Sequence, residues 1–208
     1  MIYKMFNLCF IFILSYSFFR VESFIPVGRI AHSSVLVGDK LYFFGGVNDS
    51  GYCLNEVFYL DVSKPFKSNI PSWVDLTSSA AIPFGSSFAT VSLININNSR
   101  TIYLLGGFLI DSESFIYAFN PQTLKWNIPQ SKGNTQTRRR DIKFVSDDSG
   151  KVYIFGGYND INSSFNDMTI FDTNVLTWSI KLQLMFLQQG SYTATLLSNN
   201  IGGLDNRH

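Results

Sequence analysis

Lys40-Leu41-Tyr42-Phe43-Phe44-Gly45-Gly46 has two counterparts further along the chain, Thr101-Ile102-Tyr103-Leu104-Leu105-Gly106-Gly107 and Lys151-Val152-Tyr153-Ile154-Phe155-Gly156-Gly157. Each drives an aromatic and aliphatic run directly into a glycine pair, and the copies begin 61 and then 50 residues apart. Upstream of each lies a run of small and β-branched residues: 32–37 (HSSVLV), 88–94 (FATVSLI) and 141–146 (DIKFVS). Downstream comes a second apolar run, EVFYLDV, FIYAFNP or MTIFDTN, carrying Asp61, Asn120 or Asp172 at one position, and then Trp73, Trp126 or Trp178. Turn signals (Gly38-Asp39, Asn97-Asn98, Ser149-Gly150) separate the first two runs. No helical period follows the first two dozen residues. Four short strands recurring about every 50 residues predict the blade of a β-propeller.

The combination of apolar strand, Gly-Gly, aromatic strand and spaced Trp resembles the kelch repeat, over about residues 29–203. The expected fold class is all-β: an incomplete β-propeller of kelch type with three four-stranded blades plus a partial fourth. The units run over about 29–79, 84–130 and 138–184, with a remnant at 190–203. Gly45, Gly46, Gly106, Gly107, Gly156 and Gly157 are read as structural, since a glycine pair at a strand end takes positive φ and admits neighbouring backbone. Trp73, Trp126 and Trp178 are large enough to fill the wedge between sheets while the indole N–H finds a carbonyl.

The last unit begins in register and then loses three residues of its second strand before Gly202-Gly203, with five residues after them. Propellers close with about 4 to 8 blades, so this chain does not close a ring alone. A truncated fragment of a longer propeller is the expectation, with self-association to complete the ring as an alternative.

Residues 1–23 have the layout of a signal peptide: Lys4, an uncharged run from Met5 to Phe19, then Arg20 and Ser23 before the cleavage point. The 15-residue run is shorter than the ~20 residues a spanning helix needs. The expected product is a domain over 24–208, secreted or at the cell surface, touching membrane only through an uncleaved signal or a missing C-terminal segment. Cleavage removes Cys9 and leaves Cys53 alone, so no internal disulfide forms. It also equalises the positive and negative charges. Asn48, Asn97 and Asn162 head N-x-Ser sequons that such a compartment can glycosylate.

With 46% hydrophobic and 15% charged residues the chain is a folding sequence, and a net charge of +1 gives nucleic acid no field to follow. The kelch resemblance raises galactose oxidase, a copper-radical enzyme whose site needs two His, two Tyr and a Cys. This sequence holds only His32 and His208, with Cys53 beside Tyr52, and no catalytic motif is found. The reading is therefore no enzyme, no metal and no cofactor, with a remnant of such an oxidase or an intracellular kelch scaffold as alternatives. Asp147-Asp148 is read as a solvated hairpin turn. Arg138-Arg139-Arg140 enters the third blade and is the basic surface contact the sequence offers.

Function falls to the loops. The resemblance implies one face built from the loops between second and third strands and from the connections between blades. On it the candidate binding residues are Asn48, Asp49, Tyr52, Asp111, Glu113, Arg138, Arg139, Tyr158, Asn159 and Asp160, a set suited to a protein or glycan ligand.

Overall fold

The computed structural model describes residues 24–96, 99–109, 114–133, 136–181, 193–196 and 202–205. The expected signal segment, Asn97, Asp111, Glu113 and His208 lie outside them. Three antiparallel sheets follow the three repeats. The first blade runs Ser33–Val37, Lys40–Phe44, Val57–Asp61, Trp73–Asp75; the second Thr90–Ile96, Ser99–Leu105, Ile116–Asn120, Lys125–Asn127; the third Lys143–Ser146, Lys151–Phe155, Met168–Asp172, Thr177–Lys181. We call the strands of each blade a to d. The a strands lie side by side from blade to blade. Ser33 Oγ donates to Ala89 O at 2.6 Å and Thr90 Oγ1 to Ile142 O at 2.7 Å, so one hydroxyl at one repeat position ties each inner strand to the next.

The register sorts every strand into two faces. Phe43 pairs with Phe58 and Leu41 with Leu60, and Leu60 with Trp73, on the side we call the front; Tyr42, Phe44 and Val57 occupy the rear. The rear of the first blade packs on the front of the second, where Ile102, Leu104 and Phe119 are fully buried. The rear of the second, through Tyr103, Leu105 and Ile116, packs on Val152, Ile154 and Phe171 of the third. The polar strand ends turn on capped loops. Asp61 accepts from the Ser63 N–H, Asn120 from Gln122 and Thr123, and Asp172 from Asn174, which explains the shared Asp or Asn after each c strand.

Trp126 stands against Phe44 of the preceding blade (centroids 5.8 Å) and its Nε1 donates to Ala80 O at 2.9 Å. Trp178 stands against Phe115 (5.7 Å), but its Nε1 donates to the Ser131 hydroxyl at 3.0 Å, not to a carbonyl. Among the described residues the Trp73 ring meets only Phe43 and Phe58 of its own sheet, so it does not fill a wedge between sheets as the repeat pattern predicts.

Three details depart from the sequence reading. Thr77–Ala80 forms one turn of helix in the first connection, held by Ala80 N–H to Leu76 O at 2.7 Å and by the Asp75 carboxylate on Thr77 N–H. One turn is too short to print a period. The third blade gains a fifth strand, since Lys132–Gly133 runs parallel to its outer strand. In the last unit Thr193–Leu196 pairs with Gly202–Asp205, so Gly202 and Gly203 form the second strand instead of ending it.

Candidate functional site: the loop face

The glycine pairs mount the loops. Gly45 (φ +60°) and Gly106 (φ +64°) each press against the connection entering the next blade: a Cβ would sit 2.2 Å from Ser86 O and 2.4 Å from Arg139 O. The following glycine donates its N–H to that same carbonyl, Gly46 at 2.7 Å and Gly107 at 2.9 Å. No residue with a Cβ fits there, so the b–c loop of one blade is bolted to the entry of the next.

A second device lies beneath the loops. Arg139, only 4% exposed, donates to Gly156 O at 3.1 Å and to both oxygens of Asp167 at 2.6 and 3.1 Å, with its guanidinium 3.9 Å over the Phe165 ring. Arg29 repeats this in the first blade, donating to Gly45 O at 3.0 Å, pairing with Glu56 and lying 4.7 Å over Phe58. The second blade has Ser86 and Phe115 at these positions and holds the same place with apolar packing. Bidentate Arg–carboxylate bonds in a half-buried setting fix the geometry of the strand end from which the loop springs.

These contacts correct the expectation of an exposed basic run. Arg139 faces inward. Arg138 is half-buried and donates to Leu109 O at 2.6 Å. Arg140 pairs with Asp141 Oδ2 at 2.6 Å and with the Asn162 amide oxygen, and its guanidinium is 5.8, 5.0 and 5.6 Å from the rings of Phe88, Phe108 and Tyr158. The run fastens the loops of the second and third blades together. Sequence inspection missed this because the acids and rings that receive the arginines lie 28 or more residues away in the case of Asp167, Phe88 and Phe108.

Of the other candidates, Asn48 and Asn159 occupy one repeat position and do one job. The Asn48 amide oxygen accepts from Ser50 and Tyr52 N–H at 3.1 and 3.0 Å, and that of Asn159 from Ile161 and Ser163 N–H at 3.1 and 2.8 Å. They are loop-closing side chains. Asp49 and Asp160 are exposed beside them. Tyr158 bridges Arg140 through backbone bonds of 2.9 and 3.0 Å, which brings Tyr158, Asn159, Asp160 and the arginines into one group; Asn48, Asp49 and Tyr52 form another on the first-blade loop. Tyr52 (71% exposed) and two residues the sequence reading passed over, Ile30 (69%) and Ile161 (80%), stand out as apolar groups at the loop ends. Cys53 is free, its Sγ 3.3 Å from Ser87 Oγ.

The sequence matches the KLHDC2/KLHL20/DRC7 Kelch-repeats domain over residues 11–186, which takes in all three blades. The chain belongs to the kelch-repeat family. Among its relatives it is 26% identical over 165 residues to Kelch domain-containing protein 3 of Bos taurus, covering 74% of this chain and 40% of that one. It is 29% identical over 160 residues to Acyl-CoA-binding domain-containing protein 4 of Arabidopsis thaliana (74% and 23% covered) and 27% over 143 residues to Host cell factor 2 of Homo sapiens (64% and 18%). The kelch chain thus spans about 40% of the length of the first of these relatives. Among the described residues of this kelch domain no three His, Cys, Asp or Glu side chains gather as a metal site, and no helix is long and apolar enough to cross a membrane.

Proposed function

We propose that this kelch domain is a non-enzymatic binding module of the secretory pathway that grips a protein partner on its loop face. The observation that carries the reading is a contrast within the face: Ile30, Tyr52 and Ile161 are at least two-thirds exposed, while the backbone behind them is locked by glycine pairs and arginine clamps. Exposed aromatic and aliphatic groups on a rigid frame lose little entropy on binding, which is the composition of an interface anchor. A photo-crosslinker at Tyr52 or Ile161 is expected to trap a defined partner that the same probe at Val175, on a turn after a c strand, does not. Equal capture from all three positions would overturn the assignment of the face.

The secretory part rests on the uncharged run from Met5 to Phe19, flanked by Lys4 and Arg20. Asn162 is exposed and its amide oxygen already holds Arg140, so a glycan on its nitrogen preserves that contact. N-terminal sequencing of the chain from expressing cells is expected to begin at Phe24, with a mobility shift on glycosidase treatment. A cytosolic chain that retains Met1 would contradict it.

A further inference from the structure

Between its c and d strands the first blade carries a loop that the other two lack. From Asn120 to Trp126 and from Asp172 to Trp178 the chain turns in six residues, and the leucine of that turn, Leu124 or Leu176, packs back on the core between blades. From Asp61 to Trp73 it takes twelve, and every residue from Val62 to Ile70 is exposed. Three of these are apolar: Val62 (38%), Phe66 (42%) and Ile70 (67%). The Ile70 N–H donates to Lys67 O at 2.9 Å, which closes the tip of the loop.

The charge around this loop is one-sided. No acid lies between Asp61 and Asp75, while Lys64 and Lys67 stand on either side of Phe66. The Val62 N–H donates to Asp39 O at 2.8 Å, so the loop rises beside the first a–b turn, at the end of the sheets opposite the b–c loops. Lys40 follows that turn with its ammonium 4.6 Å over the Tyr59 ring, and Arg100 of the second blade reaches the turn, its Nη1 3.7 Å from where a Cβ on Gly38 would stand. Lys40, Lys64, Lys67 and Arg100 thus gather against Asp39 and Asp61, and Asp61 already accepts the Ser63 N–H.

We propose that this loop seats the molecule on an anionic lipid surface, with Phe66 and Ile70 entering the acyl boundary while Lys64 and Lys67 stay among the headgroups. Lysine stems lie along apolar surface and keep their charge in the anionic layer, so apolar groups with lysines beside them suit such an interface. An irregular loop presents no row of side chains at fixed spacing for a protein groove to read, whereas a fluid boundary asks for none. This surface lies away from the loop face and leaves that reading unchanged.

Flotation of the full chain with vesicles is the test. Phosphatidylcholine vesicles give the baseline that residues 1–23 contribute. Vesicles with about one-third phosphatidylserine are expected to bind more tightly, with an affinity that Lys64→Ala together with Lys67→Ala lowers about 30-fold and that high salt brings back to the baseline. Phe66→Ser with Ile70→Ser is expected to weaken binding although both lysines remain, whereas Ile180→Ser, at a site 54% exposed in the third blade, does not. No preference for the anionic vesicles would overturn the proposal, as would a preference that survives both double variants. Capture of soluble polyglutamate in place of vesicles would also overturn it, by marking an acidic protein segment as the occupant.

Discussion

Single residues carry the frame of the loop face, and two of them can be weighed. Arg139 satisfies Asp167 with two hydrogen bonds in a setting where the carboxylate is 24% exposed. Arg139→Ala leaves that charge without its partner and is expected to cost about 3 kcal/mol, toward the lower end for a broken buried pair. Arg138→Ala removes one bond to a carbonyl and is expected to cost about 1 kcal/mol; urea denaturation of the two variants makes the comparison. Gly106 and Gly51 give a second pair, since both have positive φ but only Gly106 is closed in, by Arg139 O. Gly51→Ala is expected to cost the ~1 kcal/mol of the backbone alone, and Gly106→Ala clearly more.

Strands and turns add a pH-dependent element. Burial of Asp147 works to raise its carboxyl, but hydrogen bonds from Lys151 N–H, the Ser149 hydroxyl, Tyr153 and Ser149 N–H outweigh it and hold the group below the usual carboxylate range. The folded value lies below the unfolded one, so this turn's contribution is present above about pH 4 and fades as pH falls through the folded value. Asp147→Asn is therefore expected to lower the melting temperature at pH 7, by an amount that shrinks as the pH is brought down into the acid range. Between blades, Trp126→Phe leaves Ala80 O without its donor and is expected to cost about 1–3 kcal/mol in the same assay. The strands were legible in the sequence because glycine pair, Asp or Asn, and Trp recur in register. The arginine clamps were not, since Arg139 reads as surface beside two other arginines and its acid stands 28 residues on, across the blade. The one-turn helix at Thr77 is too short to show a period, and the strand at Lys132 left no mark because it pairs with Thr177, 45 residues on. Of the candidate binding residues, Asn48 and Asn159 look like ligand contacts in a sequence but close their own loops in the structure.

At the scale of the whole molecule, three sheets share two apolar seams, each sealed by a tryptophan from the later blade. Ring-on-ring contacts across the seams set the angle between blades and so the spacing of their loops. If the seams hold, the loop face is one surface; if the sheets are independent, it is three unrelated ones. Nuclear Overhauser contacts in the isotope-labelled protein test this directly. The account predicts cross-peaks from the Trp126 ring to Phe44 and from the Trp178 ring to Phe115, across 5.8 and 5.7 Å between centroids. A spectrum in which both indoles show contacts only within their own sheets would contradict it.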